Sequence, residues 1–200
     1  LCSWTNSMGS STETMCSWAR SEATWASVDV SPDGQTLVLD ILGDIYAMPI
    51  SGGTAKPLTS GPAWDAQPRF SPDGRTIAFY SDRSGIENLW VCDLDGKNAR
   101  AVSSDKASTV SAPAWSPDGK EIAFLRETDT PGSQPGTFWT AATVHLLSPL
   151  GGPARRLSDL LARGQLSWSP DGRWLAASKA GGEGEGPRGI HLISAATGTT

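Results

Sequence analysis

The sequence predicts an all-β fold, a β-propeller of four-stranded antiparallel blades, from three observations. The tetrapeptide Ser-Pro-Asp-Gly occurs four times, beginning at Ser31, Ser71, Ser116 and Ser169. The intervals of 40, 45 and 53 residues are typical of propeller blades. Each copy is followed by a short apolar run, and turn formers are abundant, with 22 glycines and 14 prolines among 200 residues.

The chemistry of the repeated turn explains its recurrence. Proline presets the backbone for the second position of a type I turn, aspartate can accept a hydrogen bond from a nearby amide, and glycine adopts a left-handed conformation without strain. A turn of this kind, ending in a glycine bulge, joins two antiparallel strands. The tetrapeptide therefore marks the hairpin between the first and second strands of each blade.

The strands follow in the same order in every unit. The second strands are predicted at 36–40, 76–80, 121–125 and 174–178, the third at 44–50, 88–94, 143–149 and 189–195, and the fourth at 55–59, 99–103 and 154–158. The blades are thus expected at about 25–60, 61–105, 106–159 and 160–200, and connections at 60–67, 104–111 and 159–165 join one blade to the next.

The fourth unit lacks an outermost strand in this chain, and the N-terminal region offers one. Residues 12–18 precede the first turn motif at nearly the spacing of residues 55–59 before the second, so we expect 12–18 to be a closing outer strand. Residues 1–11, rich in serine and threonine, are expected to be a flexible lead-in. We expect these units to be the first part of a larger propeller; a four-bladed ring closed by its own N-terminus is the alternative.

A family resemblance emerges from the motifs around these turns. Ser81-Asp82-Arg83-Ser84-Gly85, Asn88-Leu89-Trp90-Val91 and Asp93-Leu94-Asp95-Gly96, with aromatic residues before Ser-Pro-Asp-Gly, are similar to the TolB-type propeller repeat. The segment from Gly43 to Phe70 most resembles propellers ahead of bacterial amidohydrolases and in tricorn-type peptidases. The resemblance implies a propeller over residues 12–200 and a periplasmic or secreted location, with a cytoplasmic one also open. It is weak evidence for a role, because one fold serves many functions.

Composition excludes several classes of function. A net charge of −5 argues against nucleic-acid binding, which needs a basic surface. No apolar run approaches the roughly 20 residues of a membrane-spanning helix, so membrane insertion is not expected. Cys2, Cys16 and Cys92 are too few and scattered for a disulfide framework or zinc site, although Cys2 and Cys16 could pair in an oxidising compartment.

Residue types that often carry chemistry have structural explanations here, so we expect no catalytic, cofactor-binding or metal-binding residues. His145 and His191 occupy one repeat position, shared with Tyr46 and Trp90, and therefore lie in different blades. Cys92 falls at an apolar position of its blade and is interpreted as a small buried hydrophobe.

Other motifs that resemble functional sites are also explained by structural roles. The four turn aspartates are interpreted as turn formers, and the segment beginning at Asp93 lacks the remaining ligands of a calcium loop. No G-x-S-x-G nucleophile elbow or phosphate-binding G-x-x-x-x-G-K is present.

Variation among the repeats predicts the functional face. Connections between second and third strands, at 81–87, 128–143 and 180–188, share a face with the connections between blades, whereas the Ser-Pro-Asp-Gly hairpins lie opposite and are uniform. The predicted binding residues on the variable face are Trp64, Asp65, Arg83, Trp139, Glu183 and Arg188.

Three functions fit these observations. The first is a non-catalytic module for protein or peptide interaction, scaffolding or substrate gating within a larger bacterial protein. The second is the propeller of a hydrolase, an amidohydrolase or serine peptidase, whose catalytic domain adjoins it. The third is the sensor propeller of a transcriptional regulator. The expected partner is accordingly a protein, a peptide or an adjoining catalytic domain.

Overall fold

The computed structural model describes residues 26–106, 108–127, 142–179 and 189–200, and in these ranges the chain forms strands and turns without helices. The first two blades are four-stranded antiparallel sheets whose order follows the chain. Their strands are β1 Val28–Val30, β2 Thr36–Ile41, β3 Asp44–Pro49, β4 Lys56–Pro57, β5 Asp65–Phe70, β6 Thr76–Ser81, β7 Asn88–Asp93 and β8 Arg100–Ala101.

The third and fourth units share a single six-stranded sheet, in which the strands lie side by side in chain order from β9 to β14. Its strands are β9 Val110–Trp115, β10 Ile122–Glu127, β11 Ala142–Leu147, β12 Arg155–Trp168, β13 Trp174–Lys179 and β14 Ile190–Ser194. The predicted all-β fold of antiparallel blades is confirmed. The predicted lead-in at 1–11 and closing strand at 12–18 lie outside the described residues.

One predicted connection is wrong. Residues 159–165 were expected to be a loop between blades, but they lie inside β12. This strand pairs with β11 up to Ala162 and with β13 from Ala162 onward. Gly164, with φ of 76°, and a register shift between Arg163 and Ser167 bend the strand without reversing it. The polar glycine-containing segment therefore marks an irregularity in a strand that serves both units.

The four Ser-Pro-Asp-Gly turns have the same geometry. The glycines have φ of 68° to 70°, and in the first turn Gly34 N–H donates to Ser31 O at 2.8 Å. Asp33 Oδ1 accepts from the Ser31 hydroxyl at 2.6 Å and from Gln35 N–H at 3.0 Å. The Ser31 hydroxyl oxygen also accepts a hydrogen bond from Thr36 N–H at 2.9 Å. This role of the serine was not predicted from the sequence.

Consecutive turns stack along the row of blades. A Cβ built on Gly74 would lie 3.4 Å from Cδ of Pro32, the proline of the preceding turn. The positive φ is what favours glycine here, and a side chain would lie in ordinary van der Waals contact with the preceding turn.

The hydrophobic core lies between blades. Each blade has two apolar faces, which we call front and back. The front face of the second blade, including Phe70, Ile77 and Phe79, packs on the back face of the first, where Val38 and Ile45 are fully buried. The same arrangement recurs between the second and third units and between the third and fourth.

The residues immediately before three of the four turns lie at these contacts. Phe70 is buried, and the indoles of Trp115 and Trp168 donate hydrogen bonds across to Arg69 O at 3.2 Å and Ala114 O at 3.1 Å. Val30, which holds the same position in the first blade, is 47% exposed. The physical reason is that it belongs to the first described blade, whose front face has no neighbouring blade among the described residues.

Polar contacts connect the inner strands of adjacent blades. Asp40, which is buried, accepts from Ser27 N–H in its own blade at 2.6 Å and from Gln67 N–H in the next blade at 2.7 Å. Gln67 Oε1 in turn accepts from Ala112 N–H of the third blade at 2.6 Å. Gln67 and Ala112 both have positive φ, 53° and 54°, at register shifts of their strands. Each bulge thus presents an amide to the blade before it.

Replacing Asp40 by alanine tests this connection. Because two backbone N–H groups would lose their acceptor, we expect Asp40→Ala to lower the free energy of unfolding by about 2 to 4 kcal/mol. Urea titration would measure it. The control Asp159→Ala removes a carboxylate that is 90% exposed, and should change stability by less than about 0.5 kcal/mol. Equal effects of the two substitutions would contradict the role of Asp40.

Candidate functional site

The structure brings together three of the six predicted binding residues. Trp64 and Asp65 lie where the first blade passes to the second, and Arg83 lies in the connection between β6 and β7. Asp82 Oδ1 accepts a hydrogen bond from Trp64 N–H at 2.8 Å, and Arg83 forms an ion pair with Asp65. These contacts show that the two kinds of connection share a face, as predicted. Trp139, Glu183 and Arg188 lie outside the described residues.

Trp64 is an exposed aromatic residue whose indole ring is supported on one side by the fold. Its side chain is 51% exposed, although its indole ring lies against the backbone of Gly43. A Cβ added to Gly43, whose φ is 88°, would lie 2.9 Å from Cε3 of the indole. The β2–β3 turn of the first blade therefore supports the ring only because residue 43 is glycine.

Arg83 is held rigidly from several sides. Its guanidinium pairs with Asp65, donates from Nε to Ser81 Oγ at 3.0 Å, and lies 5.6 Å and 5.1 Å from the ring centroids of Phe79 and Trp90. Asp65 is only 1% exposed. Asp65 therefore positions Arg83 and is not itself a surface for a partner, whereas Arg83 remains partly accessible.

A shallow cavity of about 540 Å³ adjoins these residues. We call this cavity together with Trp64 the Trp64 surface; its lining residues are Ser60, Pro62, Ala63, Asp82, Arg83 and Gly85. The walls come from both the interblade connection and the β6–β7 connection. The surface therefore combines proline and a cation in the cavity with an exposed aromatic ring beside it.

The surroundings of the Trp64 surface are electronegative. Burial, and then the nearby carboxylate of Asp65, raises the pKa of Asp44. Burial, followed by the carboxylates of Glu127 and Asp82, raises the pKa of Glu87. Asp44 Oδ1 and Asp65 Oδ1 are buried without a hydrogen-bond partner among the described residues. Burial is the larger cause of both shifts, and Asp82 is the carboxylate that lines the Trp64 surface itself.

The two histidines do not form a site. His145 pairs with Phe124 in the third blade and His191 pairs with Ala177 in the fourth, at the repeat position of Trp90. His145 is buried 5.7 Å from the Phe124 ring centroid and its Nε2 lies 3.0 Å from Thr143 Oγ1. Burial, with smaller contributions from Arg126 and Arg156, lowers the pKa of His145 to about 4. Its ring is therefore neutral in the fold at ordinary pH.

Cys92 and the turn aspartates have the expected structural surroundings. Cys92 is 2% exposed in the core between the first two blades, and burial raises the pKa of its thiol to about 12. Hydrogen bonds from Ser169 and from Arg173 lower the pKa of Asp171 to about 2. Among the described residues, no group of three or more potential ligands could hold a metal ion.

The family of TolB beta propeller domains matches residues 11–196 of this chain. An uncharacterized protein of Agrobacterium fabrum is 33% identical over 150 residues, which cover 71% of this chain and 50% of that protein. The uncharacterized peptidase YuxL of Bacillus subtilis is 31% identical over 163 residues, which cover 68% of this chain and 25% of the peptidase. The chain thus spans half or less of these relatives.

Solved structures share the fold. A protein assigned as TolB from Agrobacterium tumefaciens superposes with a TM-score of 0.69 at 22% identity, covering 86% of this chain and 59% of that one. Within the ranges that the structure describes, no helix is long and apolar enough to cross a membrane.

Removing the Arg83 guanidinium tests whether the fold needs this cation to stabilise the buried carboxylate of Asp65. We expect Arg83→Met to destabilise the fold by about 3 kcal/mol, because a buried carboxylate loses its counter-ion. Asp65→Asn in the same chain should recover part of that loss, and urea unfolding of the two single variants and the double variant measures the coupling. Lys97→Met, which removes an exposed ion pair with Asp95, is the control. Additive effects of the two substitutions would contradict the coupling.

The environment of His145 predicts a pH dependence of stability. The unfolded chain binds a proton near pH 6.5, while folded His145 does so only near pH 4, so stability is lost as the pH falls from about 6.5 toward 4, by up to about 3 kcal/mol. We expect His145→Gln to weaken this dependence when unfolding is measured at pH 4.5 and 7.5. His191→Gln, at the same position of another blade, should leave it unchanged. An unaltered slope in His145→Gln would contradict the assignment.

Proposed function

Because the chain belongs to the TolB β-propeller family, we propose that it is a non-catalytic propeller module that binds a protein or peptide through the Trp64 surface. The observation that carries the proposal is a tryptophan that is half exposed and yet fixed by the fold. Rigid, exposed aromatic residues on connections are typical anchors of protein interfaces.

Preorganisation supports the choice of this surface. Trp64 rests on Gly43, its amide is held by Asp82, and Arg83 is held by Asp65. A partner that binds here would therefore immobilise few side chains, which lowers the entropic cost of association. By contrast, the uniform turns of the opposite face present serine and aspartate groups whose hydrogen bonds are already made within the turn.

Charge favours a particular class of partner. The carboxylate of Asp82 lines the Trp64 surface, and Asp44 follows Gly43, the residue that supports the indole. A segment with an apolar residue to cover the indole and a lysine or arginine beside it would complement this arrangement. Arg83 can bind a carboxylate or carbonyl of the same segment.

A second candidate is the propeller of a hydrolase that limits access of substrates to an adjoining catalytic domain. The peptidase YuxL, 31% identical, favours it, since 163 matched residues account for only 25% of that protein. The full gene distinguishes the candidates: a Ser-Asp-His set on the same polypeptide indicates a peptidase, and a cluster of histidines indicates an amidohydrolase. The resemblance to TolB favours a periplasmic or secreted location for either candidate.

Photo-crosslinking tests the proposal in the source organism. With p-benzoylphenylalanine at position 63, we expect an adduct that Trp64→Ala diminishes by tenfold or more, because exposed tryptophan anchors contribute about 2 kcal/mol or more. The matched control Trp174→Ala removes another exposed tryptophan and should leave the adduct unchanged. A crosslinker at position 120, in an exposed turn of the opposite face, should give no such adduct. Equal labelling from positions 63 and 120, or an adduct insensitive to Trp64→Ala, would overturn the proposal.

A further inference from the structure

Leu42 has a backbone conformation that its residue type disfavours. Leu42 and Gly43 form the two-residue loop between β2 and β3, whose pairing ends at Ile41 and Asp44. Both loop residues have positive φ, 55° and 88°, as in a type I′ turn, which favours asparagine, aspartate or glycine at the first position. Leucine is strained there, because its side chain crowds the left-handed conformation.

The side chain of Leu42 gains no packing that offsets this strain, since the residue is 76% exposed. The other non-glycine residues with positive φ in the described ranges have structural reasons. Gln67 and Ala112 form the bulges that contact the preceding blade. Asn98 is of a residue type that tolerates positive φ, and its side chain bonds within its own turn. Strained residues without such a reason are concentrated at ligand-binding positions.

Leu42 lies beside the Trp64 surface. Because Gly43 touches the indole and consecutive Cα atoms are about 3.8 Å apart, the Cα atom of Leu42 lies within roughly 8 Å of the ring. The indole N–H is directed to the hydroxyl of Tyr80, and this hydrogen bond partly offsets the effect of burial, which raises the pKa of that phenol. Since the N–H is the only polar group of an indole, the exposed part of Trp64 is apolar. Leu42 and Trp64 therefore present two apolar side chains close together.

The polar residues next to these two side chains leave one negative charge available. The charge of Arg83 is compensated by its ion pair with Asp65. Asp82 is exposed, accepts a hydrogen bond from Trp64 N–H at 2.8 Å, and has no cation as a partner among the described residues. A lysine or arginine of a binding partner would therefore be attracted to Asp82 beside the apolar pair.

We propose that Leu42 and Trp64 together receive one large apolar side chain of a protein partner, whose neighbouring lysine or arginine faces Asp82. This anchor is part of the Trp64 surface and so rests on the proposed function, to which it adds the chemistry of the partner segment. Covering Leu42 removes apolar area from water, and this gain offsets the strain of its turn. Apolar anchors enclosed by polar residues that exclude water are typical of the parts of interfaces that contribute most to affinity.

Panning a phage-displayed library of random dodecapeptides on the chain identifies the chemistry of the partner. We expect the selected peptides to share a leucine, isoleucine, methionine or phenylalanine next to a lysine or arginine. For a selected peptide, Trp64→Ala should raise the Kd about tenfold or more, and Leu42→Asn about fivefold or more. The matched control Leu150→Asn changes a leucine that is 86% exposed in a turn of the opposite face, and should leave the Kd unchanged.

Thermal unfolding of the same variants separates binding from a structural role. Because asparagine tolerates positive φ, Leu42→Asn should leave the Tm unchanged or raise it while it weakens the peptide. Asp82→Asn keeps an acceptor for Trp64 N–H and removes the charge, so it should weaken the peptide at low salt and have little effect at high salt. A lowered Tm in Leu42→Asn would assign the leucine to the fold and overturn the anchor.

The remaining outcomes distinguish the anchor from the proposed function. A peptide that requires Trp64 but binds Leu42→Asn as tightly as the wild-type chain would overturn the anchor and leave the proposed function standing. Selected peptides that are acidic or lack a large apolar residue would also overturn the anchor. A library that yields no peptide sensitive to Trp64→Ala would overturn the proposed function, and the anchor with it.

Discussion

The packing of each blade's back face on the front face of the next is the interaction on which the rest of the structure depends. Sheets of four short strands bury too little apolar surface to be stable alone. In this chain the clusters of buried side chains lie between blades, as where Val38 and Ile45 meet Phe79. Each repeat of the sequence therefore forms the same interface with the next blade. The apolar identity of residues such as Cys92 and Leu147 follows from their place in it.

Polar groups fix the alignment that apolar packing leaves loose. Apolar contact is non-directional, whereas the contacts from Asp40 to Gln67 and from Gln67 to Ala112 each require an amide at a defined place. The positive φ of Gln67 and Ala112 turns those amides toward the preceding blade. The bulges thus convert a stack of sheets into an ordered array, and the connections beside them are held in register as well.

The Trp64 surface depends on this alignment of the first two blades. Gly43 of the first blade supports the indole, while Asp82 and Arg83 of the second blade fix its surroundings. The contact of Gly43 with Trp64 crosses from the first blade to the second, so the indole is supported only when both blades are packed. By contrast, His145, Cys92 and the turn aspartates, which are reactive residue types, are occupied in packing or in turns. The connections therefore carry the proposed binding surface, whereas the repeated strands provide stability.

The sequence by itself determined the blade, the turn and the repeat positions, because local turn chemistry and strand alternation act over a few residues. It placed Cys92 in the core and the two histidines in separate blades. It also selected Trp64 and Arg83. Only the tertiary structure decided that Asp65 is buried under Arg83, that Val30 is exposed and that residues 159–165 continue a strand. These outcomes depend on which blade lies next to which, and a contact between distant segments leaves no local signal in the chain.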